Sequence, residues 1–146
     1  MKTLEEEVRE IADREEIKEL TAKYAHWVAL GDGAKVSQLF TDDGVFINEV
    51  IGQAPNIDVR GRKQLDEFYP RLKRGMALPC IHNHIIEING DNATGTCTIE
   101  VRITQNNQSI IGSGYYADIY RRVSNQWKFA EARLFLPFGS AAQGMD

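Results

Sequence analysis

Three tyrosines and one aspartate stand where side chains of their kind can move protons. In "GYYADIY" Tyr116, Asp118 and Tyr120 occupy every second position, and on a strand that spacing puts all three on one face. An aspartate among tyrosines is either exposed or paired in a pocket. In an apolar surround its carboxyl resists ionisation and suits general acid or base work; held by an arginine or a backbone amide it is structural. Upstream, "KYAHWVALGD" joins a helix carrying Tyr24 and Trp27 to a glycine-aspartate stop. A buried phenol at Tyr24 either donates to a developing oxyanion or satisfies a core carbonyl. His26, two residues on, falls off that helix face. His82 and His84 are two apart in "CIHNHIIEIN", a spacing that puts both imidazoles on one side of a strand and can serve a metal. No third ligand accompanies them, so they read as surface or interface histidines and no metal is expected.

These groups need elements to position them. Thr3 with Glu6 is a capping box, and Asp13 with Glu16 repeats the signal, which predicts two helices meeting near Asp13. From Arg14, Ile17, Leu20, Tyr24, Trp27 and Val28 recur at helical spacing. Gly31 ends this helix and Asp32 can cap the next, whose Val36, Leu39 and Phe40 point inward. "VFINEVI" (45–51) is a strand by its β-branched content, and "GRKQLDEFYPRLKR" returns to helical spacing until Pro70 kinks or ends it. The rest reads as four strands, "CIHNHIIEIN", "ATGTCTIEVRIT", "SIIGSGYYADIYRRV" and "WKFAEARLFL", each closed by a short polar turn. The class is α+β: an antiparallel meander with helices packed on one side. Parity turns Cys97, Ile99 and Val101 toward the helices. In the last strand it sets Ala132 and Leu134 against Trp127 and Phe129, so the latter pair is expected on an outer face covered by a second subunit.

Composition bounds the function. The 146 residues fit one domain, 1–146, with 1–13 as a helical extension and 137–146 as a flexible tail. A net charge of −4 argues against nucleic acid as a partner. One basic stretch, "RGRKQLDEFYPRLKR", would attract an anion only if its charges shared a face. No apolar run reaches the ~18 residues of a membrane span. The acidic start and two isolated cysteines, Cys80 and Cys97, point to the cytoplasm with both thiols reduced.

Taken together, "REEIKELTAKYAHWVALGDGAKVSQLFTDDGVF", "GRKQLDEFY", "NHIIEINGDNATG" and "GYYADIYRRVSNQWKFAEARL" resemble the SnoaL-like branch of the nuclear transport factor 2-like superfamily. The resemblance implies a curved sheet wrapped around helices as a cone with a deep apolar pocket, and frequently a homodimer. It implies small hydrophobic substrates handled without a cofactor, as in scytalone dehydratase, ketosteroid isomerase, polyketide cyclases and a dehydrochlorinase. In the dehydratase-like and dehydrochlorinase-like members an aspartate near the end of the pocket helix orients a histidine on the first meander strand. The matching positions here are Ala29 and Pro79. The resemblance therefore implies a lyase or isomerase that works without that dyad, or a binder with no chemistry. Tyr24 would be proton donor or oxyanion partner, with Asp118 as base and Tyr116 positioning the substrate. His82 would be the base only if its strand began irregularly at Pro79. Val28, Ala29, Phe46 and Phe68 would form one wall; Cys97, Ile99, Val101, Ala132 and Leu134 would form the other. A cleft of about 300 Å³ or more is expected.

Overall fold

The structure, a computed structural model, describes residues 1–49, 57–105 and 107–141. Helix α1, Leu4–Leu30, is capped as expected: the Thr3 side chain accepts from the Glu6 amide and the Glu6 carboxylate accepts from the Thr3 amide. It ends at Gly31, whose φ of 74° is the left-handed conformation that glycine adopts without strain. The expected break at Asp13 is absent. Asp13 is buried within one continuous helix and accepts hydrogen bonds from Arg122 (2.6 Å) and from the Trp127 indole (3.1 Å). A residue that resembles a cap in sequence is thus an anchor between the helix and the sheet.

A short helix α2, Gly33–Gln38, follows; Asp32 precedes it without a side-chain cap bond. Strand β1 is Phe40–Glu49 and β2 is Ile57–Arg60, so the last two residues of the expected 45–51 strand lie outside the described residues. Helix α3, Gly61–Phe68, gives way at Pro70 to a 3₁₀ turn, Tyr69–Arg71. The meander comprises β3 (Ala77–Asn89), β4 (Asn92–Gln105), β5 (Gln108–Val123) and β6 (Gln126–Ala141). β6 thus includes the first residues of the expected tail. The sheet order is β2-β1-β6-β5-β4-β3, with β1 parallel to β6 and every other pair antiparallel. Its concave side carries the core against α1. No helix among the described residues is long and apolar enough to cross a membrane.

Two members of the basic stretch are held by partners of their own. Arg62 reaches back to the Ser37 and Phe40 carbonyls and to Asp66, while Arg60 pairs with Asp58.

Parity fails at two bulges. Along β5 and β6 the register runs Ile119 with Glu131 and then Tyr120 with Phe129, which leaves Ala130 as an extra residue. The extra residue flips the strand, so Trp127 and Phe129 face inward together with Ala132 and Leu134, all buried. The expectation that Trp127 and Phe129 lie on an outer face is therefore overturned. A second bulge separates His82 from Ile85 at Asn83, whose φ is 55°. It leaves His82 exposed and turns His84 inward onto Tyr120, although both still border one groove between α1 and β3. Phe129→Ala is expected to cost about 3–5 kcal/mol, the range for truncating a core aromatic, in urea unfolding at any protein concentration. A loss that depended on concentration would return Phe129 to an interface.

Candidate functional site

The middle of the cone is aromatic. Tyr24, on the buried side of α1, meets Phe40, Tyr69, Tyr116 and Phe129 edge to face, with ring centroids 5.5 to 6.3 Å apart. Its hydroxyl is 2.9 Å from that of Tyr69. Burial pushes the Tyr24 phenol up to about 12, and the phenols of Tyr69 and Tyr116 well above their ordinary value. All three stay neutral donors near pH 7. The Tyr116 hydroxyl influences Tyr24 without meeting it in hydrogen-bond geometry.

Tyr24, Val28, Phe46, Phe68, Ile99, Val101, Tyr116 and Leu134 line an apolar cavity of about 130 Å³. It is less than half the expected size because Tyr69 fills the cone, its ring tilted against Phe40 and Phe46 with centroids 5.6 Å and 5.9 Å away. For scale, a buried apolar cavity of about 150 Å³ accepts benzene. Among the described residues the lining contains no acid, lysine, arginine or histidine. Asn48 also lines it, and its Oδ1 is buried with no partner among the described residues.

Behind Tyr24 and Tyr116 lies a second space of about 10 Å³, lined also by Thr21, Ile81, Asp118, Phe129 and Ala132. By this measure it is about the size of one water. Asp118 is 4% exposed; Oδ2 accepts from the Tyr120 hydroxyl at 2.9 Å, and Oδ1 has no partner among the described residues. Burial pushes its carboxyl up to about 8, helped by the negative charge of Glu131. The Tyr120 bond and the nearby Arg133 amide, itself outside hydrogen-bond geometry, offset only part of this. Asp118 is therefore a neutral acid at pH 7 with one oxygen uncommitted.

The other expected residues lie elsewhere. Cys97 is buried in the core, its thiol pushed up to about 12 by burial, and it does not line the cavity. Ala29 is half-buried, and its carbonyl accepts from the Gly75 amide. Pro79 lines the cavity without a titratable group. His82 opens onto an outer groove between α1 and β3, where His26 also sits. The sequence reading missed Tyr69, Asn48 and the contact between His84 and Tyr120. Tyr69 was legible as part of a helix face, but nothing marked it as the partner of Tyr24.

A family model described as the SnoaL-like domain matches residues 9–133, and the chain belongs to that family. No curated protein matches it. Among solved structures, a Mycobacterium tuberculosis protein of unknown function is 30% identical over 92% of this chain and 75% of its own, with a TM-score of 0.71. A nuclear transport factor 2-like protein with a cystatin-like fold, from Novosphingobium aromaticivorans, is 24% identical over 99% and 97%, with a TM-score of 0.72. A hexachlorocyclohexane dehydrochlorinase, LinA type 2, is 17% identical over 93% of each chain, with a TM-score of 0.80. The last two likenesses establish the shared fold.

The raised carboxyl has a consequence for stability. As pH rises, the unfolded chain releases the Asp118 proton from about pH 4, whereas the folded chain keeps it until about 8. Folding stability falls across that window and levels off above it. Asp118→Asn is expected to gain on the wild type through the window by at most about 1.4 kcal/mol per pH unit, read from urea unfolding at several pH values. A constant gap would show that the carboxyl ionises normally.

Proposed function

We propose that the chain binds a small, neutral, oxygenated hydrophobic molecule in the cone and removes water from it, a cofactor-free lyase step of dehydratase type that needs no aspartate-histidine dyad. The observation that carries this reading is the uncommitted Oδ1 of a neutral Asp118 beside a one-oxygen space shared with Tyr24 and Tyr116. The apolar body of the substrate occupies the larger cavity, and its leaving hydroxyl enters the small space. Asp118 gives its proton to that oxygen, the carbon-oxygen bond breaks, and water departs. The resulting carboxylate takes the proton from the neighbouring carbon as the double bond forms, which restores the acid. A carbonyl next to that carbon gathers negative charge in the step. Tyr24 donates to it while accepting from Tyr69, and both phenols stay protonated throughout. Tyr116 orients the substrate. An isomerisation that begins with a carboxylate base suits this site less well. His82, exposed in the outer groove, has no part in the step.

A binder without chemistry is the competing reading, favoured by Ala29 and Pro79 and by the small cavity. Incubation with a panel of small β-hydroxy ketones, followed by mass spectrometry for loss of water, separates the two. Turnover is expected in the wild type, with a drop of about 10² to 10⁴, the usual worth of a positioned acid or base, in Asp118→Asn. Tyr24→Phe, which keeps the ring packing, is expected to lose tenfold or more. Binding of these compounds unchanged would establish the binder instead.

We also assign the outer sheet face to a second copy of the chain, in a homodimer. Ile85, Ile119 and a stacked Tyr115–Phe135 pair lie there, with Glu131 and Arg133 supplying charges of both signs for a self-complementary contact. The exposed thiol of Cys80 suits a reducing compartment such as the cytoplasm. Sedimentation is expected to give a dimer at micromolar concentration that Ile119→Glu dissociates; a wild-type monomer would remove this assignment.

A further inference from the structure

Asp118 has a second connection, leading away from the cavity. Its Oδ2 is 2.9 Å from the Tyr120 hydroxyl, and that hydroxyl is 2.9 Å from Nε2 of His84. Tyr120 is fully buried, whereas His84 is half-buried and lines the open groove between α1 and β3. Three side chains on two strands thus run without interruption from the enclosed carboxyl to the outside.

Two features of the backbone make this line. The bulge at Asn83 turns His84 inward, since regular alternation would have put it on the same side as the exposed His82. Between the two strands, β4 presents Gly95, which pairs with Ile86 on one side and Asp118 on the other. A Cβ at Gly95 would lie 2.9 Å from His84 Nε2 and 3.1 Å from the Tyr120 hydroxyl, so only glycine leaves room for the two to meet.

We propose that His84 and Tyr120 form a proton relay that connects Asp118 to solvent, with both acting as positioning residues through the carboxyl. When the Tyr120 hydroxyl turns from donating to Oδ2 to donating to His84 Nε2, Oδ2 carries the carboxyl proton, and that proton moves to the Tyr120 oxygen as the Tyr120 proton moves to His84 Nε2. The products are a carboxylate, a neutral phenol and an imidazolium, which gives up its Nδ1 proton to water. The reverse sequence reloads the acid. Oδ1 takes no part in the relay; a half-turn of the carboxyl about Cβ–Cγ exchanges its two oxygens and carries the reloaded proton to the substrate side.

The surroundings suit this traffic. Around His84 the ionisable neighbours are Lys18 on α1, Tyr120 on β5 and, along the groove, His26, Cys80 and His82. Burial and Lys18 hold the imidazole below its ordinary value, so at neutral pH it is an acceptor. Around Asp118 stand Glu131 on β6, Cys97 on β4, Tyr24 on α1, Tyr69 in the 3₁₀ turn, and Tyr116 and Tyr120 on its own strand. Burial keeps the thiol and the phenols protonated near pH 7, so none of them competes for the proton.

The relay builds on the reading of Asp118 as the proton-carrying group, and its test uses no substrate. Infrared spectroscopy at about pH 6, where the carboxyl is neutral, follows its carbonyl stretch after transfer into D₂O; absence of the band in Asp118→Asn identifies it. Exchange in Tyr120→Phe and Gly95→Ala is expected to slow by about tenfold or more, within the range of a lost positioned proton carrier. His84→Ala is expected to slow likewise and to recover on addition of free imidazole, which a merely structural role would not produce. His82→Gln is expected to exchange at the wild-type rate. Wild-type exchange in Tyr120→Phe, or a His84→Ala that imidazole fails to restore, would overturn the relay, since the proton would then be reaching Asp118 by another path. If Tyr120→Phe does not fold, the His84→Ala rescue decides alone. A relay that holds in a chain without turnover would refute only the lyase reading, and the converse result would refute only the relay.

Discussion

The sheet must keep one face against α1 along its whole length. A helix with side chains is about 10 Å across, and a strand such as β6, sixteen residues long, leaves it behind unless the strand bends. The bulge at Ala130 supplies the bend, and it also shifts the alternation so that Trp127 and Phe129 on one side of it, and Ala132 and Leu134 on the other, all meet the helix. Asp118 lies opposite Ala132 and Tyr120 opposite Phe129, on either side of that step. The wall that encloses the carboxyl is therefore made by the same irregularity that lets the sheet curve.

Enclosing a carboxyl in this way carries a penalty. A buried oxygen with no partner costs about 1–3 kcal/mol, and the single bond from Tyr120 offsets part of that. A leucine at position 118 would pack with less loss. The cone therefore holds a group that weakens the fold, and a buried carboxyl of that kind is what the proposed chemistry calls for. The anchors stand elsewhere, in the pairing of Asp13 with Arg122 and Trp127 and in the grip of Arg62 on the α2–β1 junction.

Much of the frame was legible from spacing. The alternation of Cys97, Ile99 and Val101, the helical recurrence of Ile17 through Val28, and the polar turns of the meander all reported a local period, and the structure agrees with each. What spacing could not report was a break in the period. A bulge adds one residue without a signature of its own, so Phe129 and His84 were each assigned the wrong face. Asp13 misled for a related reason: a buried aspartate facing Arg122 and an exposed aspartate capping a helix look alike until the partner, 109 residues away, is in place. The candidate site divided along the same line. Tyr24, Tyr116 and Asp118 could be placed on inward faces because each lies on a regular stretch, whereas Tyr69, Asn48 and the contact of His84 with Tyr120 depend on how separate elements meet.

On the proposed reading, the arrangement also selects the charge of what it accepts. The cavity lining offers no ionised group, Tyr24, Tyr69 and Tyr116 are held protonated, and Asp118 behind them is neutral below about 8. An anionic ligand would find hydroxyl donors but no countercharge, and a cationic one would find no carboxylate, so either would pay for its lost hydration unrepaid. A neutral molecule with one or two oxygens loses little on entry and regains it from phenols that are already oriented. Donors outnumber acceptors at the wall, with Asn48 Oδ1 the uncommitted acceptor of the larger cavity. A carbonyl is thus better served than a second hydroxyl. The same neutrality shapes the proposed lyase step: in a pocket without fixed charge among the described residues the carboxyl holds its proton tightly, and a carboxylate formed there, with no countercharge, is driven to take back the nearest proton on the substrate.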